Sequence, residues 1–179
     1  MESLDPAVFS TGTFPQEPPQ SIEYAGFFRR FGGYIVDSII FGIITGIASQ
    51  IIGALMGASI SQVVMNSGFG PGSTEIPPEL ISSFGDLFFV SFVVNFVLAW
   101  LYYAIFESSG MQATPGKRLL GMKVTDMDGD QITFGTATGR FLGKIISGAI
   151  LLIVYLMAAF TSKKQALHDL IAGTVVVLR

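Results

Sequence analysis

The chain has 179 residues with a mean hydropathy of +0.61, and although half of its residues are hydrophobic, only 13% are charged. A soluble domain normally has about 25% charged residues, so this composition excludes a disordered chain and an ordinary soluble enzyme and indicates an integral membrane protein. The net charge of −3 argues against a nucleic-acid partner, and because the chain has no cysteine and one histidine we expect neither a metal site nor a cofactor.

The first 25 residues contain four prolines and no lysine or arginine. A secretory signal would begin with basic residues followed by an apolar core, and the starting sequence MESLDP has neither. We therefore expect residues 1–25 to form a retained, irregular tail. The remaining residues, 26–179, are expected to form a single membrane domain.

Two long apolar runs follow the tail. They cover residues 31–57 and 84–106, which are 27 and 23 residues long, and Glu107 stands just past the second run. Each run exceeds the roughly 20 residues that a helix needs to cross a bilayer, so the runs predict two full transmembrane helices. Between them, residues 58–83 are rich in serine, glycine and proline and predict a loop.

The C-terminal part predicts a small β structure and a third apolar segment. Residues 120–125 and 131–134 flank the glycine-containing sequence DMDGD, which is typical of a β-hairpin with a solvated turn. Residues 140–160 form an apolar stretch interrupted by glycines and Lys144, and the valine-rich residues 174–178 favour a strand. The predicted fold class is an all-α integral membrane protein with two full transmembrane helices, a third broken or spanning segment, a small cytoplasmic β-hairpin and a C-terminal strand.

Basic residues orient the chain, because lysine and arginine in short loops remain in the cytoplasm. The 58–83 loop has none, whereas basic residues precede the first run and separate the second from the third: Arg29, Arg30, Lys117, Arg118 and Lys123. The N-terminus and the 107–139 loop are therefore expected inside. If residues 140–160 enter the membrane and return, the C-terminus is also inside and the last strand can pair with the hairpin. We expect this arrangement, and a complete third span is the alternative.

The first apolar run carries small residues along one side. At 100° per residue, five of them fall within a narrow sector of the helix: Gly42, Gly46, Ser49, Gly53 and Gly57. Small residues at this spacing let helix backbones approach closely. We therefore expect this glycine stripe to pack against another helix.

Asp37 lies nearly opposite the glycine stripe, on the same face as Arg30 but seven residues further along the helix. A carboxylate inside the bilayer costs about 2.5 kcal/mol or more unless it is paired or protonated. Because side chains lean toward the helix N-terminus, Arg30 points away from Asp37 toward the headgroups. Arg140 and Lys144, which share a face of the third stretch, are the first candidates for an ion pair with Asp37.

Ser91, Asn95 and Tyr102 share a face of the second apolar run. Polar residues in membrane helices usually hold neighbouring helices together through hydrogen bonds, and less often they line a path. We expect this polar stripe to hold helices together.

Three blocks of sequence are distinctive: residues 25–37 (AGFFRRFGGYIVD), 114–124 (TPGKRLLGMKV) and 164–177 (KQALHDLIAGTVVV). Together they resemble the RDD family of membrane proteins, which is named for one arginine and two aspartates. The resemblance extends over about residues 22–179 and implies that Arg30, or alternatively Arg29, is the family arginine. It also implies that Asp37 and Asp169 are the two aspartates. The family is usually described as having no known function, with transport of unidentified ligands as a suggestion.

Two functions follow from these features. The first is a non-enzymatic structural or accessory subunit of a larger membrane assembly, with the lipid bilayer and other membrane subunits or copies of itself as partners. Two spans and a broken third segment cannot enclose a pore alone. The alternative is an oligomeric transporter, with cation/proton exchange at Asp37, because an intramembrane carboxylate is a functional candidate.

An enzyme is not expected. His168 and Asp169 are adjacent in sequence, but no nucleophile or set of metal ligands accompanies them.

The expected location is the cytoplasmic (inner) membrane of a bacterium, with the N-terminus in the cytoplasm.

Overall fold

The computed structural model describes residues 22–149 and 161–179 and is mostly helical. Two long helices, α1 (Phe27–Ser67) and α2 (Pro78–Ser108), form its main part. Tyr102, near the end of α2, contacts Asp37 and Phe41 near the start of α1, so the helices run antiparallel. Both are long and apolar enough to cross a membrane. The two long apolar helices that the sequence predicts are therefore confirmed.

Both helices extend beyond the predicted runs. The 41 residues of α1 span about 60 Å at 1.5 Å per residue, roughly twice the hydrocarbon core of a bilayer. The predicted 58–83 loop is too long, since only residues 68–77 are non-helical. Gly68 ends α1 in a left-handed conformation (φ 66°), and Pro78 occupies the first position of α2. Residues 58–67 contain neither glycine nor proline, so nothing in them ends the helix.

The shorter elements lie at one end of this helix pair, the end at which α1 starts and α2 finishes. They are α3 (Pro115–Leu119), β1 (Met122–Asp126), α4 (Phe134–Ala149), α5 (Leu167–Ile171) and β2 (Thr174–Leu178). β1 and β2 pair antiparallel, with Val124 opposite Val176. On its other side β2 forms a bridge between Val177 and Tyr24. The last residues of the predicted irregular tail therefore join the sheet.

The predicted hairpin is wrong, because residues 131–134 do not form its second strand. Thr133 instead caps α4: its side-chain oxygen accepts a hydrogen bond from the backbone N–H of Thr136 at 3.1 Å. A threonine in this position satisfies the first turn of a helix, so the helix begins at Phe134. β1 pairs with β2 instead. A pairing with the last strand was expected if the C-terminus lies on the same side of the membrane as β1.

The apolar core surrounds the sheet. Its members are Ala25, Ala104, Met122, Val124, Ile132, Ala137 and Val176. They come from β1, β2, α2, α4 and the segment before α1, so this core joins the short elements to the ends of the long helices. Further along α1 the apolar side chains are 56–72% exposed: Ile43, Ile47, Ile51 and Leu55. In a membrane that exposed face meets lipid or another protein.

The predicted third apolar segment, 140–160, is described only in part. α4 contains its first residues up to Ala149, and residues 150–160 lie outside the described residues. Further along the chain, α5 packs against α4. Gly143 permits this approach, because a Cβ on it would lie 3.1 Å from the Cβ of His168. The described residues on either side of 150–160 therefore meet.

Candidate functional site

Asp169 is fully buried in α5 between α1 and α4. Its Oδ2 accepts a hydrogen bond from the backbone N–H of Ala166, 3.2 Å away, which fixes the first turn of this short helix. Oδ2 also pairs with Nη1 of Arg30, and Oδ1 lies 2.7 Å from Nη1 of Arg140. Burial alone would raise the pKa of Asp169, but the guanidinium groups of Arg140 and Arg30 outweigh burial and hold that pKa well below its usual range. Asp169 is therefore an ionised carboxylate held by two arginines.

Arg30 rather than Arg29 belongs to this site. Arg29 is exposed, whereas only 12% of the Arg30 side chain is accessible. The Arg30 guanidinium also donates from Nε to the carbonyl oxygen of Ala25 at 3.0 Å. Its position is thus fixed both by the segment before α1 and by α5.

Glu107, one residue before the end of α2, is a second fully buried carboxylate. Its Oε2 accepts a hydrogen bond from Nε of Arg140 at 2.9 Å. Its Oε1 accepts from Nζ of Lys117 at 2.6 Å and from Nζ of Lys144 at 2.9 Å. Sequence reasoning misses this role because Glu107 directly follows an apolar run and resembles an ordinary interfacial helix end. The sequence did contain one signal: Glu107 is an acidic residue on the same side of the membrane as the basic residues.

Arg140 joins the two carboxylates. It is fully buried, contacts Glu107 and Asp169, and donates from Nη1 to the hydroxyl of Thr174 in β2. A guanidinium keeps its charge and presents five donors in one plane, so it can bridge two acids where a lysine could not. We call the connected ionic residues the charge cluster: Arg30, Glu107, Lys117, Arg140, Lys144 and Asp169.

Asp37 lies beside the charge cluster and is only 1% exposed. Its Oδ1 accepts hydrogen bonds from the Tyr102 hydroxyl at 2.9 Å and from the backbone N–H of Gly116 at 2.8 Å. Its Oδ2 accepts one from the Thr114 hydroxyl at 2.5 Å. Three neutral donors on α2, α3 and the residue before α3 therefore surround this carboxylate.

The predicted ion pair of Asp37 with Arg140 or Lys144 is therefore wrong. Arg140 pairs with Glu107 and Asp169, and Lys144 pairs with Glu107. The physical reason is that Asp37 is already satisfied by neutral donors, while two other buried carboxylates need the cations. Arg140 and Lys144 do form ion pairs, but with Glu107 and Asp169 rather than with Asp37.

The Thr-Pro-Gly-Lys sequence at 114–117 explains how α3 reaches both acids. Pro115 starts the helix, which leaves the hydroxyl before it and the backbone N–H after it free to bind Asp37. Gly116 is required because a Cβ there would lie 2.3 Å from the carbonyl oxygen of Gly33 and 2.8 Å from Cγ of Asp37. The next residue, Lys117, then reaches Glu107.

His168 is buried beside the charge cluster, and its Nε2 lies 3.4 Å from Oδ1 of Asp169. Burial lowers the pKa of His168 to about 3, which outweighs the opposite effect of Asp169. The imidazole is therefore neutral at neutral pH. Within residues 22–149 and 161–179, no group of three or more His, Asp or Glu side chains is placed to hold a metal ion.

A cavity of about 440 Å³ adjoins the charge cluster, between α1 and α4. Four basic side chains line it: Arg30, Lys117, Arg140 and Lys144. Most other lining residues are apolar or aromatic, and three of them are about half exposed: Phe31 (48%), Tyr34 (55%) and Ile145 (45%). Asp37 and His168 also line the cavity. Its size falls within the usual range of about 300–1,000 Å³ for small-molecule sites.

The glycine stripe and the polar stripe lie away from the charge cluster for most of their length. A Cβ on Gly42, Gly46, Gly53 or Gly57 would meet nothing within 4 Å among the described residues. The predicted packing of these glycines against another helix therefore stays a prediction. In the polar stripe, Asn95 donates to the backbone oxygen of Ser91 within α2 at 2.7 Å, and Tyr102 reaches Asp37 on α1.

Two helices long and apolar enough to cross a membrane, joined at one end by a buried charge cluster, are typical of an integral membrane protein. The RDD family model matches residues 24–173, and the chain belongs to the RDD family. Arg30, Asp37 and Asp169 all lie within the matched region.

Two relatives come from Bacillus subtilis (strain 168). The chain is 35% identical over 161 residues to "Uncharacterized protein YxaI", a match that covers 87% of this chain and 97% of the relative. It is 26% identical over 160 residues to "Uncharacterized membrane protein YteJ", which covers 86% of this chain and 80% of that relative. No solved structure matches the chain.

Proposed function

We propose that the chain is a non-enzymatic membrane subunit that acts as a structural or accessory component of a larger membrane assembly. The observation that carries this proposal is the charge cluster, in which buried acids and bases are paired with one another. These pairs join the five helices of the described residues, so their direct effect is to fix the arrangement of those helices. Such a frame presents two long helices to neighbouring proteins in a defined geometry.

The exposed surfaces support the same proposal. Two membrane helices cannot by themselves enclose an aqueous path, and within the described part of the chain the glycine stripe of α1 is uncovered. Faces of small residues let helix backbones approach closely, which gives extensive van der Waals contact in a bilayer. A helix of another subunit, or of a second copy, fits this face.

Oligomeric cation/proton exchange is the second candidate function. The observation that favours it is that Asp37, a buried carboxylate in α1, lines the cavity. Four basic side chains line the same cavity, and they repel a cation that approaches this carboxylate. The neutral hydrogen-bond donors around Asp37 also suit a structural role. We therefore place the structural proposal first.

We also propose that the charge cluster, the N-terminus and the C-terminus lie on the cytoplasmic side of a bacterial inner membrane. The support is that basic residues concentrate at this end of the helices, whereas residues 68–77 at the other end contain none. The pairing of β1 with β2 supports a position on the same side of the membrane for both strands. The expectation that residues 140–160 enter the membrane and return belongs to the same proposal.

Isolation of the full chain from native membranes tests the structural proposal. We expect mild-detergent purification after cross-linking to recover other membrane proteins in a fixed ratio to the chain. Purified chain in vesicles should give no proton flux that depends on a cation gradient. Recovery of a homo-oligomer alone, together with such a flux, would favour the transporter instead.

A matched pair of substitutions locates the contact surface. Gly46→Leu places a bulky side chain on the glycine stripe, whereas Ile44→Leu changes an exposed side chain nearby on α1. We expect the first to reduce recovery of partner proteins several-fold, because it separates the helix backbones, and the second to leave recovery unchanged. Equal recovery for both variants would mean that the stripe faces lipid.

A further inference from the structure

We propose that the cavity between α1 and α4 binds an anionic amphiphile, in which a phosphate or carboxylate headgroup carries an alkyl chain. The headgroup meets the guanidinium groups of Arg30 and Arg140, and the chain lies along the apolar walls toward the bilayer. This inference does not depend on the role proposed above, because the cavity and its donors are features of the single chain.

Two unused donors point to an anion. Nη2 of Arg140 and Nη2 of Arg30 are buried, and the described residues supply no acceptor for either. Arg140 is fully buried, and both arginines line the cavity. A buried N–H of a charged group is strongly destabilising without an acceptor. Phosphate and carboxylate oxygens are the acceptors that guanidinium groups bind best.

The charge balance points the same way. The charge cluster contains four basic and two acidic side chains, and the neighbouring Asp37 adds a third acid. One positive charge thus remains among these buried and largely buried groups when His168 is neutral. A single bound anion completes the balance and removes the electrostatic penalty of an uncompensated buried cation.

The walls of the cavity point to an alkyl chain rather than to a small ion alone. Phe31, Tyr34 and Ile145 line the cavity and are about half exposed on the sides of α1 and α4. Phe27 stacks on Phe31 with ring centroids 6.1 Å apart, which extends the aromatic wall along α1. We infer that these half-exposed apolar side chains face lipid and that the cavity opens toward the bilayer. A ligand that arrives by this route is itself an amphiphile.

Binding to the full chain, purified in the neutral detergent dodecyl maltoside, tests the proposal. Calorimetric titration with dodecyl phosphate is expected to show saturable binding with one site per chain. Inorganic phosphate supplies the same headgroup without the alkyl chain and should bind at least about 100-fold more weakly. The maltoside detergent supplies an alkyl chain without charge and should not compete at its working concentration.

Two tryptophan variants distinguish the cavity from general partition into the micelle. Ile145→Trp adds bulk to the apolar side of the cavity without replacing a residue of the charge cluster. Ile146→Trp is the matched control, because Ile146 is similarly exposed (52% against 45%) but does not line the cavity. We expect the first substitution to weaken dodecyl phosphate binding by about tenfold or more and the second to change it by less than about twofold.

Arg30→Lys tests the headgroup contact. Lysine can keep the ion pair with Asp169, but its single ammonium nitrogen cannot replace Nη2 of Arg30, the atom proposed to meet the headgroup. The affinity for dodecyl phosphate should therefore fall by about tenfold. If this variant does not fold, the difference in dodecyl phosphate binding between Ile145→Trp and Ile146→Trp still tests the proposal. Non-saturable uptake, equal binding to both tryptophan variants, or phosphate binding as tight as that of dodecyl phosphate would overturn the proposal.

Discussion

Arg30, in the first turn of α1, forms an ion pair with Asp169 of α5, which follows it by 139 residues in the chain. Arg140 contacts the same carboxylate from α4. The first membrane helix and the C-terminal segment are therefore parts of one folded unit. Because these charges are buried, the loss of one partner leaves another without compensation.

Glu107→Gln should strongly destabilise the protein. The substitution removes the negative charge of the Glu107 carboxylate, which accepts hydrogen bonds from Lys117, Arg140 and Lys144. Breaking a buried ion pair lowers the free energy of unfolding by about 3–5 kcal/mol, and we expect a loss in this range in detergent. Glu79→Gln, at an exposed site in the first turn of α2, is the control and should change little. Similar unfolding midpoints for both variants would contradict the central role of Glu107.

Asp37→Asn should reduce the yield of folded protein. An amide has one acceptor oxygen where the carboxylate has two, so its oxygen can still accept from Tyr102 and Gly116 while its NH₂ group faces Thr114. The Thr114 hydroxyl can accept from this NH₂ group, but its own O–H then loses the acceptor that Asp37 provides. An unsatisfied buried donor lowers stability by about 1–3 kcal/mol. Thermal unfolding of the purified chain measures this loss, with the exposed Asp86→Asn as control. A variant that assembles normally but loses cation-dependent proton flux would instead favour the transporter.

Gly116→Ala should disrupt the contact between α3 and α1. The new methyl group would lie 2.3 Å from the backbone oxygen of Gly33, which cannot move away as a flexible side chain could. We expect a loss of about 1–3 kcal/mol or more in the free energy of unfolding. Gly139→Ala is the matched control, because a Cβ there meets nothing within 4 Å and alanine favours the helix. If both variants unfold at the same temperature, the close approach does not contribute to stability.

The stability of the protein should fall as the pH is lowered from about 6.5. The unfolded chain binds a proton on His168 near the ordinary pKa of 6.5, whereas the folded state does so only near 3. The unfolded state therefore binds more protons between these values, and stability falls by up to about 1.4 kcal/mol per pH unit. Asp169 acts in the same direction further down, because its stabilisation is lost as the pH falls below the ordinary value of 3.8.

Thermal unfolding midpoints measured between about pH 7.5 and 4.5 check this dependence. His168→Gln removes the histidine component, so its midpoint should change less over the range than that of the unaltered chain. The same slope in both proteins would show that other groups cause the pH dependence.

The C-terminal strand should be shielded from the outside of the cell. The chain has no native cysteine, so one cysteine can be introduced at a time. In intact cells, Arg179→Cys should react with an impermeant thiol reagent only after the membrane is opened. Glu75→Cys, in the exposed segment 68–77, should react at once. Ready labelling at position 179 would favour a complete third span.

The long helices could be predicted from the sequence because an apolar run of more than 20 residues has few alternatives to a membrane helix. The ends of the helices were less predictable. Serine and asparagine in residues 58–67 resemble a loop in composition, yet the first residue that ends α1 is Gly68. The second strand of the predicted hairpin failed because Thr133 starts a helix, a local effect that outweighs the weak strand preference of 131–134.

The charge cluster could be predicted only in part. The resemblance to the family indicated Arg30 and Asp169. The cost of a carboxylate in the membrane indicated Arg140 and Lys144 as ion-pair partners, but for Asp37 rather than for Glu107 and Asp169. Which acid each cation meets depends on tertiary packing, because the partners are separated by tens of residues and no local spacing relates them. Glu107 was missed for this reason, since its three partners follow it by 10, 33 and 37 residues.

The order of these partners along the chain determines when the protein can finish folding during its synthesis. Ribosomes add about 5–20 residues per second, so about 7–28 s separate the appearance of Arg30 from that of Asp169, 139 residues later. For most of this time α1 (Phe27–Ser67) has been synthesised, while the Asp169 carboxylate that pairs with Arg30 has not. The buried site is therefore completed after the long helices are made, and a ribosome that stalls before α5 leaves an inserted chain in which Arg30 lacks its carboxylate partner.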